Sequence, residues 1–324
     1  AYTYTDLLQF VGPLQSWLRE TFEWHRDDYW FPDVRTLGGA IMMFVLVLYP
    51  YVYLLARTAF LERAGGMIEV SRSLGLGAWT SFFQVSLPLA RPAIVAGVAL
   101  ALMETLADYG TVSYFAVQTF ATGIYRAWFS LGDRVAAAQL SMALLFFVVA
   151  VLTLERASRG RARFNDTTGR NRPYLGRRLR GWRAGLAVIG CLIPLGLGFL
   201  LPGGLLLKMS ITEGDAQFGA RFVQLSANSF TLATVTSIIA VALATLLAYA
   251  ARIRRGTATA LATRMVGLGY AVPGSVIAVG VLIPVTRLDN WLAQLIERTT
   301  GANPGLLITG GIAALVFAYL ARFL

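Results

Sequence analysis

The chain is short of charge, histidine, lysine and cysteine. Only 14% of its 324 residues are charged, against about 25% in soluble globular domains. There is one histidine, His25, and one cysteine, Cys191. The sequence therefore offers neither a disulfide pair nor a cysteine- or histidine-based metal cluster. These absences exclude a disulfide-stapled secreted domain and a structural zinc module.

Catalytic motifs are also missing. The single lysine, Lys208, follows no glycine-rich loop, so the phosphate-binding pattern G-x-x-x-x-G-K-[ST] is absent. The patterns G-x-S-x-G and H-E-x-x-H do not occur either. The sequence therefore predicts a protein that is not an enzyme by itself, with no catalytic residue, no cofactor and no certain metal ligand.

Apolar residues are abundant and occur in long runs. They make up 56% of the chain, the mean hydropathy is +0.62, and several runs approach the roughly 20 residues that cross a bilayer as a helix. The runs do not alternate apolar and polar residues as barrel strands do. We predict an all-α polytopic membrane protein. The expected spans cover residues 37–56, 93–115, 135–154, 184–207, 229–251 and 263–285, and a last span begins at 306–319.

The net charge of +11 comes almost wholly from arginine, and its distribution predicts the topology. The segments 57–91, 155–183 and 252–264 together with Arg322 contain 19 arginines, whereas 1–36, 119–134, 209–228 and 286–303 contain eight. Positive residues accumulate on the cytoplasmic side of membrane proteins. The first group is therefore expected inside the cell, in contact with anionic lipid headgroups. This reading favours a membrane partner over nucleic acid.

Residues 65–88 form a polar interruption between two apolar runs. Met67, Val70 and Leu74 recur at helical spacing, which predicts a short amphipathic helix. Gly75 and Gly77 should break or bend this helix, because glycine is a weak helix former. The chain is expected to leave the bilayer, turn here and re-enter.

This interruption resembles the cytoplasmic signature E-A-A-x3-G-x9-I-x-L-P of the permease subunits of binding-protein-dependent ABC importers. The matching positions are Glu69, Gly75, Val85, Leu87 and Pro88, with Val70 and Ser71 in place of the two alanines and Val85 in place of isoleucine. The resemblance implies that the segment is a coupling loop that docks into a separate ATPase subunit. The alternative is an ordinary polar loop between two membrane helices.

Two carboxylates, Glu104 and Asp108, lie four residues apart in an apolar run. Spacing of four places them on one face of a helix, near the middle of the expected span, and ionisable residues in spans commonly face a cavity or the bundle interior. Residues 103–115, with 118–120 and 123–128, resemble the fused permeases of ferric-iron importers, and this resemblance covers most of the chain. It makes the pair candidates for the translocation path, since hard cations prefer oxygen ligands. The alternative is a structural pair that holds helices together by hydrogen bonds.

A weak internal repeat suggests two permease halves. Residues 12–18 echo 287–292 around Trp17 and Trp291, and Leu-Ala-Arg occurs at both 55–57 and 320–322. We expect the first half to occupy residues 1–154, an arginine-rich cytoplasmic linker 155–183, and the second half 184–324. On this reading each half is partial, and a second coupling loop is expected about twelve residues beyond Arg322, past Leu324.

The resemblance implies a transport subunit of the bacterial inner membrane that works with two copies of an ABC ATPase and with a periplasmic solute-binding protein. Ferric iron is the implied solute, while thiamine, polyamine, sulfate and phosphonate importers share the architecture. An ion-coupled secondary transporter that uses Glu104 and Asp108 to carry protons is the alternative from another class. Such a transporter would have no use for the loop at 65–88.

Overall fold

The computed structural model describes residues 1–159, 179–212, 219–253, 256–301, 305–309 and 311–323. Most of these residues are in helices. Within these ranges there is no strand, so the all-α prediction is confirmed. The helices are α1 Tyr2–Leu8, α2 Pro13–Phe22, α3 Leu37–Ser73, α4 Ala78–Ala107, α5 Gly110–Tyr114, α6 Phe120–Tyr125, α7 Arg134–Arg159, α8 Trp182–Thr212, α9 Ala220–Ile253, α10 Thr257–Leu268, α11 Gly274–Thr300 and α12 Ile312–Phe323.

Six of the described helices are long and apolar enough to cross a membrane, and α12 is a shorter apolar helix. The protein is therefore a polytopic membrane protein. The six are α3 over Leu37–Leu61, α4, α7 over Arg134–Ser158, α8, α9 and α11. None of the residues in the most apolar windows of α8 and α9 is buried within the chain. Many of their apolar side chains therefore remain accessible to lipid or to neighbouring helices.

Several expected boundaries were wrong. The span expected at 263–285 is interrupted, because α10 ends at Leu268 and α11 begins only at Gly274 after Pro273. The span expected at 93–115 ends earlier, because α4 stops at Ala107 and a short helix, α5, follows from Gly110. The segment 287–303 was expected as an external loop, but α11 continues through it to Thr300. Its polar residues alternate with Trp291, Leu292 and Leu295 at helical spacing, so the helix persists beyond the apolar run that the prediction used.

The chain divides into two compact units that each have their own core. The first comprises residues 1–105, 109–118 and the described part of 149–213, and the second comprises 106–108, 119–148 and the described part of 214–324. The core of the first contains Tyr4, Val34, Ala40, Met43 and Phe115. The core of the second contains Ile124, Ala127, Ala137, Leu144 and Val279. The second core joins α6 and α7 to the beginning of α11.

Two spans contain a π-helical turn at the same distance before a proline. Phe82–Ser86 precedes Pro88 in α4, and Gly196–Leu200 precedes Pro202 in α8. Proline has no N–H to donate, so a carbonyl one turn earlier loses its partner, and the wider π turn accommodates the ring. In α8 the carbonyl of Leu197 instead accepts a hydrogen bond from Tyr4 Oη of α1. This bond ties α1 to α8 within the first unit.

Glycine permits two close helix contacts in the first unit. A Cβ on Gly97 of α4 would lie 2.7 Å from Val52 Cα of α3, and a Cβ on Gly198 of α8 would lie 2.2 Å from the Leu46 carbonyl oxygen of α3. Small residues let helix backbones approach in membranes, where packing drives association. The helix α3 is thus contacted by two spans at positions that only glycine allows.

We expect Gly97→Leu to destabilise the protein, because the added side chain meets backbone atoms that do not move readily. The loss should be about 1–3 kcal/mol in the free energy of unfolding, as for other overpacked sites. Denaturant unfolding in detergent measures it. Gly190→Leu is the control, since a Cβ on Gly190 of α8 meets nothing within 4 Å. Equal stability of the two variants would contradict the close contact.

Candidate coupling loop and translocation residues

The polar interruption at 65–88 is an extension of α3 followed by a tight turn. A separate short amphipathic helix was expected, but the backbone of α3 runs unbroken for 37 residues to Ser73, through Gly65 and Gly66. Each glycine costs a helix only about 1 kcal/mol, which the remaining hydrogen bonds of a long helix offset. Glu69 lies on this extension; its side chain lies outside the described part of the structure.

The turn after α3 is built on Gly75. Its φ is +83°, in the left-handed region that favours glycine. The N–H of Leu76 donates to the carbonyl of Ser71 at 3.1 Å, the long hydrogen bond that ends many helices at a left-handed glycine. The prediction that the chain turns at Gly75 is confirmed. Gly77 instead has an ordinary φ of −66° and precedes α4 as its N-cap.

Ser71 and Ser81 hold the two sides of this turn together. Ser71 is 3% exposed and Ser81 is 2% exposed, and their hydroxyl oxygens are 2.5 Å apart. A buried hydrogen-bonded pair of hydroxyls is satisfied where a lone one would be costly. Ser71, which replaces the second alanine of the signature, therefore stabilises the turn itself. Sequence reasoning placed Ser71 in the coupling loop as a small departure from the signature and did not identify Ser81.

The remaining signature positions lie on α4. Val85 belongs to the π turn and, like Leu87, is half-buried, whereas Pro88 is exposed. The helix continues through Pro88, because the π turn makes room for the proline. The structure thus brings Ser71 and Gly75 into one turn and places Val85, Leu87 and Pro88 on the helix that leaves it.

Large apolar side chains around the turn are exposed. The exposed fraction is 76% for Leu74, 75% for Trp79 and 58% for Phe83. Trp79 and Phe83 stack with their ring centroids 6.1 Å apart. Grouped exposed apolar residues mark sites that another protein or the membrane covers. The turn therefore carries an apolar surface of its own.

The two carboxylates lie at the end of α4, which was expected to place them near mid-span. Glu104 is in its last turn, and Asp108 is the first residue after the helix ends at Ala107. Both are half-buried. Glu104 has no hydrogen-bond or ion-pair partner among the described residues. Groups of three or more histidine, cysteine or acidic residues that could hold a metal are not found in the part of the chain that the structure describes.

Sequence reasoning missed the role of Asp289, which is fully buried on α11. Its carboxylate accepts hydrogen bonds from the N–H groups of Leu307, Ile308 and Thr309 at 2.8–3.1 Å and from Thr309 Oγ1 at 2.6 Å. It thereby fixes the segment that leads into α12. Gln15 is in the matching place of the repeat, two residues before a tryptophan, and is also buried. The internal repeat was therefore the sequence signal that could have identified Asp289.

The arginine-rich linker was expected over 155–183. Its first residues, 155–159, form the end of α7, and residues 179–183 lead into α8. The stretch 160–178 lies outside the described residues.

We expect Gly75→Ala to disturb the turn and Gly77→Ala to leave it intact. A Cβ on Gly75 meets nothing within 4 Å, so the cost comes from its positive φ and should be about 1 kcal/mol. Gly77 has the φ of ordinary residues. Cysteine pairs placed at 70 and 79 and spin-labelled would report the turn geometry. A changed distance in the Gly77 variant alone would contradict this assignment.

Comparison with known proteins places these features in context. Residues 22–158 match the family described as the binding-protein-dependent transport system inner membrane component. The chain is 27% identical over 270 residues to an Fe(3+)-transport system permease protein of Haemophilus influenzae, covering 81% of this chain and 52% of that protein. A putative molybdenum transport system permease protein of Bacillus subtilis is 28% identical over 41% of this chain and 63% of its own length.

A probable sulfate transport system permease protein of Chlorokybus atmophyticus is 34% identical over 30% of this chain and 33% of its own. The chain thus spans about half the length of the iron permease protein. No solved structure matches it. The turn at Gly75 and both carboxylates fall inside the matched segment. Residues 22–158 therefore carry the pattern of the inner membrane component of binding-protein-dependent transport systems, and the chain is a multi-pass membrane protein similar to transport permeases.

Proposed function

We propose that this protein is the permease subunit of an ABC importer of the bacterial inner membrane. It translocates a solute that a periplasmic binding protein delivers, and ATP hydrolysis occurs on a separate ATPase pair. The observation that carries the proposal is the Gly75 turn, which joins two membrane-length helices and has the signature residues in register. The family match over residues 22–158 supports it independently.

The surface around the turn is suited to a partner protein. Leu74, Trp79 and Phe83 are exposed next to a turn that Ser71 and Ser81 lock internally. A turn held by an internal hydrogen bond bends little. A displacement of its exposed apolar side chains is therefore passed on to the two helices that the turn joins. We assign this surface to contact with the ATPase subunit. The signature residues of the same segment are Glu69, Gly75, Val85, Leu87 and Pro88.

Ferric iron is the first candidate solute. The alignment with the iron permease protein of Haemophilus influenzae covers 81% of this chain, whereas those with the molybdenum and sulfate permease proteins described above cover 41% and 30%. Glu104, half-buried and without a hydrogen-bond partner in the part of the chain that the structure describes, is available to a passing cation. Molybdate and sulfate are the alternatives that the other relatives support.

Uptake into proteoliposomes tests the function and the solute together. The permease is reconstituted with its ATPase, and the matching binding protein is loaded in turn with ferric iron, molybdate or sulfate. We expect ATP-dependent accumulation of ferric iron and none without the binding protein. Accumulation that persists without ATP and follows an ion gradient would instead support a secondary transporter and overturn the proposal.

The carboxylates are expected to act in transport more than in folding. Glu104→Gln combined with Asp108→Asn keeps the side-chain size and removes charge, so we expect uptake to fall at least about tenfold while the amount of inserted protein is retained. Glu297→Gln is the control, because Glu297 is a carboxylate of α11 outside the matched segment. Normal uptake by the double variant would make the pair structural, and loss of the protein from the membrane would show that it holds helices together.

A further inference from the structure

The helix α2 buries polar residues and exposes an apolar side. Gln15 is 5% exposed and Arg19 is half-buried, whereas Trp17 is 56% exposed. Gln15 and Trp17 are two residues apart, which places them about 200° apart around a helix axis and so on opposite sides. Leu14, Trp17 and Leu18 lie together on the outer side, which we call the Trp17 face. A surface helix of a soluble protein has the reverse arrangement, with its apolar side toward the core.

The polar side of α2 is held in place by hydrogen bonds. Gln15 Nε2 donates to the Leu8 carbonyl at 2.7 Å, and Gln15 Oε1 accepts a hydrogen bond from Tyr29 Oη at 2.8 Å. Arg19 Nη1 donates to the same Tyr29 oxygen at 3.1 Å. A rotation of α2 that buried Trp17 would break all three bonds. The outward orientation of the Trp17 face is therefore fixed by the fold of the first unit.

Contacts within the first unit show where α3 enters the bilayer. Gly198 packs against the Leu46 carbonyl of α3, and it lies sixteen residues beyond Trp182 and fourteen before Thr212, near the middle of the membrane-length helix α8. Leu46 is nine residues beyond Leu37, the first residue of α3. Nine residues advance about 13 Å along a helix, close to half of the roughly 30 Å hydrocarbon core. The beginning of α3 therefore lies at one surface of the bilayer.

The helix α2 lies beside this beginning of α3. Gln15 of α2 and the segment 31–34, which leads into α3, line one cavity together. Exposed apolar side chains continue along α3 itself, where Leu37, Ile41 and Val45 recur at a spacing of four residues. On a helix of membrane length, such side chains are accessible to lipid. The Trp17 face thus lies at the level at which α3 enters the bilayer, next to a surface suited to lipid.

The same arrangement recurs in the second unit. Asp289 of α11 is fully buried and holds the segment before α12, whereas Trp291, two residues later, is 57% exposed. Leu288 and Leu295 are exposed with Trp291 at helical spacing. In each unit a buried polar side chain binds the connection to the next apolar helix, and a tryptophan two residues further along faces outward. Two units with separate cores therefore share this pattern.

We infer that the Trp17 face of α2 binds the interfacial layer of the lipid bilayer, at the membrane surface opposite the Gly75 turn. The face of Leu288, Trp291 and Leu295 on α11 binds an interfacial layer in the same way. Tryptophan suits this layer because its ring is apolar while its N–H reaches the hydrated headgroups. The contact holds the beginning of α3 at a fixed depth, and the other end of α3 leads into the Gly75 turn.

Electron paramagnetic resonance on the purified full-length permease in phosphatidylcholine nanodiscs tests this inference. Trp17→Cys carries a spin label in a background without native cysteines, Cys191 included. Collisions of the label with oxygen and with a water-soluble nickel chelate give its depth. Asp27→Cys is the matched control, because Asp27 is exposed in the loop that follows α2. We expect the label at position 17 to lie about 5–10 Å below the lipid phosphates and the label at position 27 to lie in water.

Trp291→Cys tests the second face in the same background. We expect its label in the same range of depth, whereas a label at Glu297→Cys, six residues further along α11, should lie in water. A label at position 291 that collides with the nickel chelate as often as the label at position 297 would contradict interfacial binding by α11.

Brominated lipids provide a measurement that needs no label. Bromine on the acyl chains quenches nearby tryptophans, and the emission that Trp17→Phe removes belongs to Trp17. Phenylalanine keeps an apolar ring at the surface, so we expect an unchanged unfolding temperature. The removed emission should be quenched by brominated lipid and not by aqueous iodide.

The inference is overturned if the labels at positions 17 and 27 collide equally with the nickel chelate in folded protein, or if iodide quenches Trp17 and brominated lipid does not. The solute-binding protein is the competing occupant of the Trp17 face. If the label at position 17 leaves the water only when loaded binding protein is added, the face docks a protein instead. A depth that is the same with and without binding protein supports the lipid contact.

Discussion

The structure depends on one constraint: backbone N–H and C=O groups in a bilayer need partners within the protein. Long helices meet this requirement by themselves, and the informative places in this chain are those where a helix is interrupted. Pro88 and Pro202 each remove a donor, and each follows a π turn. In α8 the carbonyl of Leu197 receives its hydrogen bond from Tyr4 instead. The interruption of α8 before Pro202 thus allows a hydrogen bond that links α8 to α1.

The same constraint explains the buried polar residues. Asp289 lies within the helix α11. Its carboxylate oxygens accept hydrogen bonds from three successive backbone N–H groups that precede α12. Ser71 and Ser81 satisfy each other at the turn after α3. Such pairs fix a loop more firmly than apolar contacts do, because a single shift leaves several buried groups without partners.

Ser275 and Arg322 are where the pattern is incomplete. Ser275 Oγ, at the start of α11, and Arg322 Nε of α12 are buried without a hydrogen-bond partner among the described residues, as is Thr236 Oγ1 of α9. A buried polar group without a partner costs about 1–3 kcal/mol.

The sequence by itself determined the fold class, most of the spans and the turn at Gly75. These follow from run length, composition and the conformational freedom of glycine, which are local properties. It did not determine the length of α3 or α11, since helices continue through glycines and polar residues when their neighbours propagate the hydrogen bonds. Tertiary structure alone decided that Ser71 meets Ser81, that Asp289 binds 307–309 and that Arg322 packs on Gly274. These residues are 10 to 48 positions apart in the sequence, and no periodicity relates side chains that only helix packing brings together.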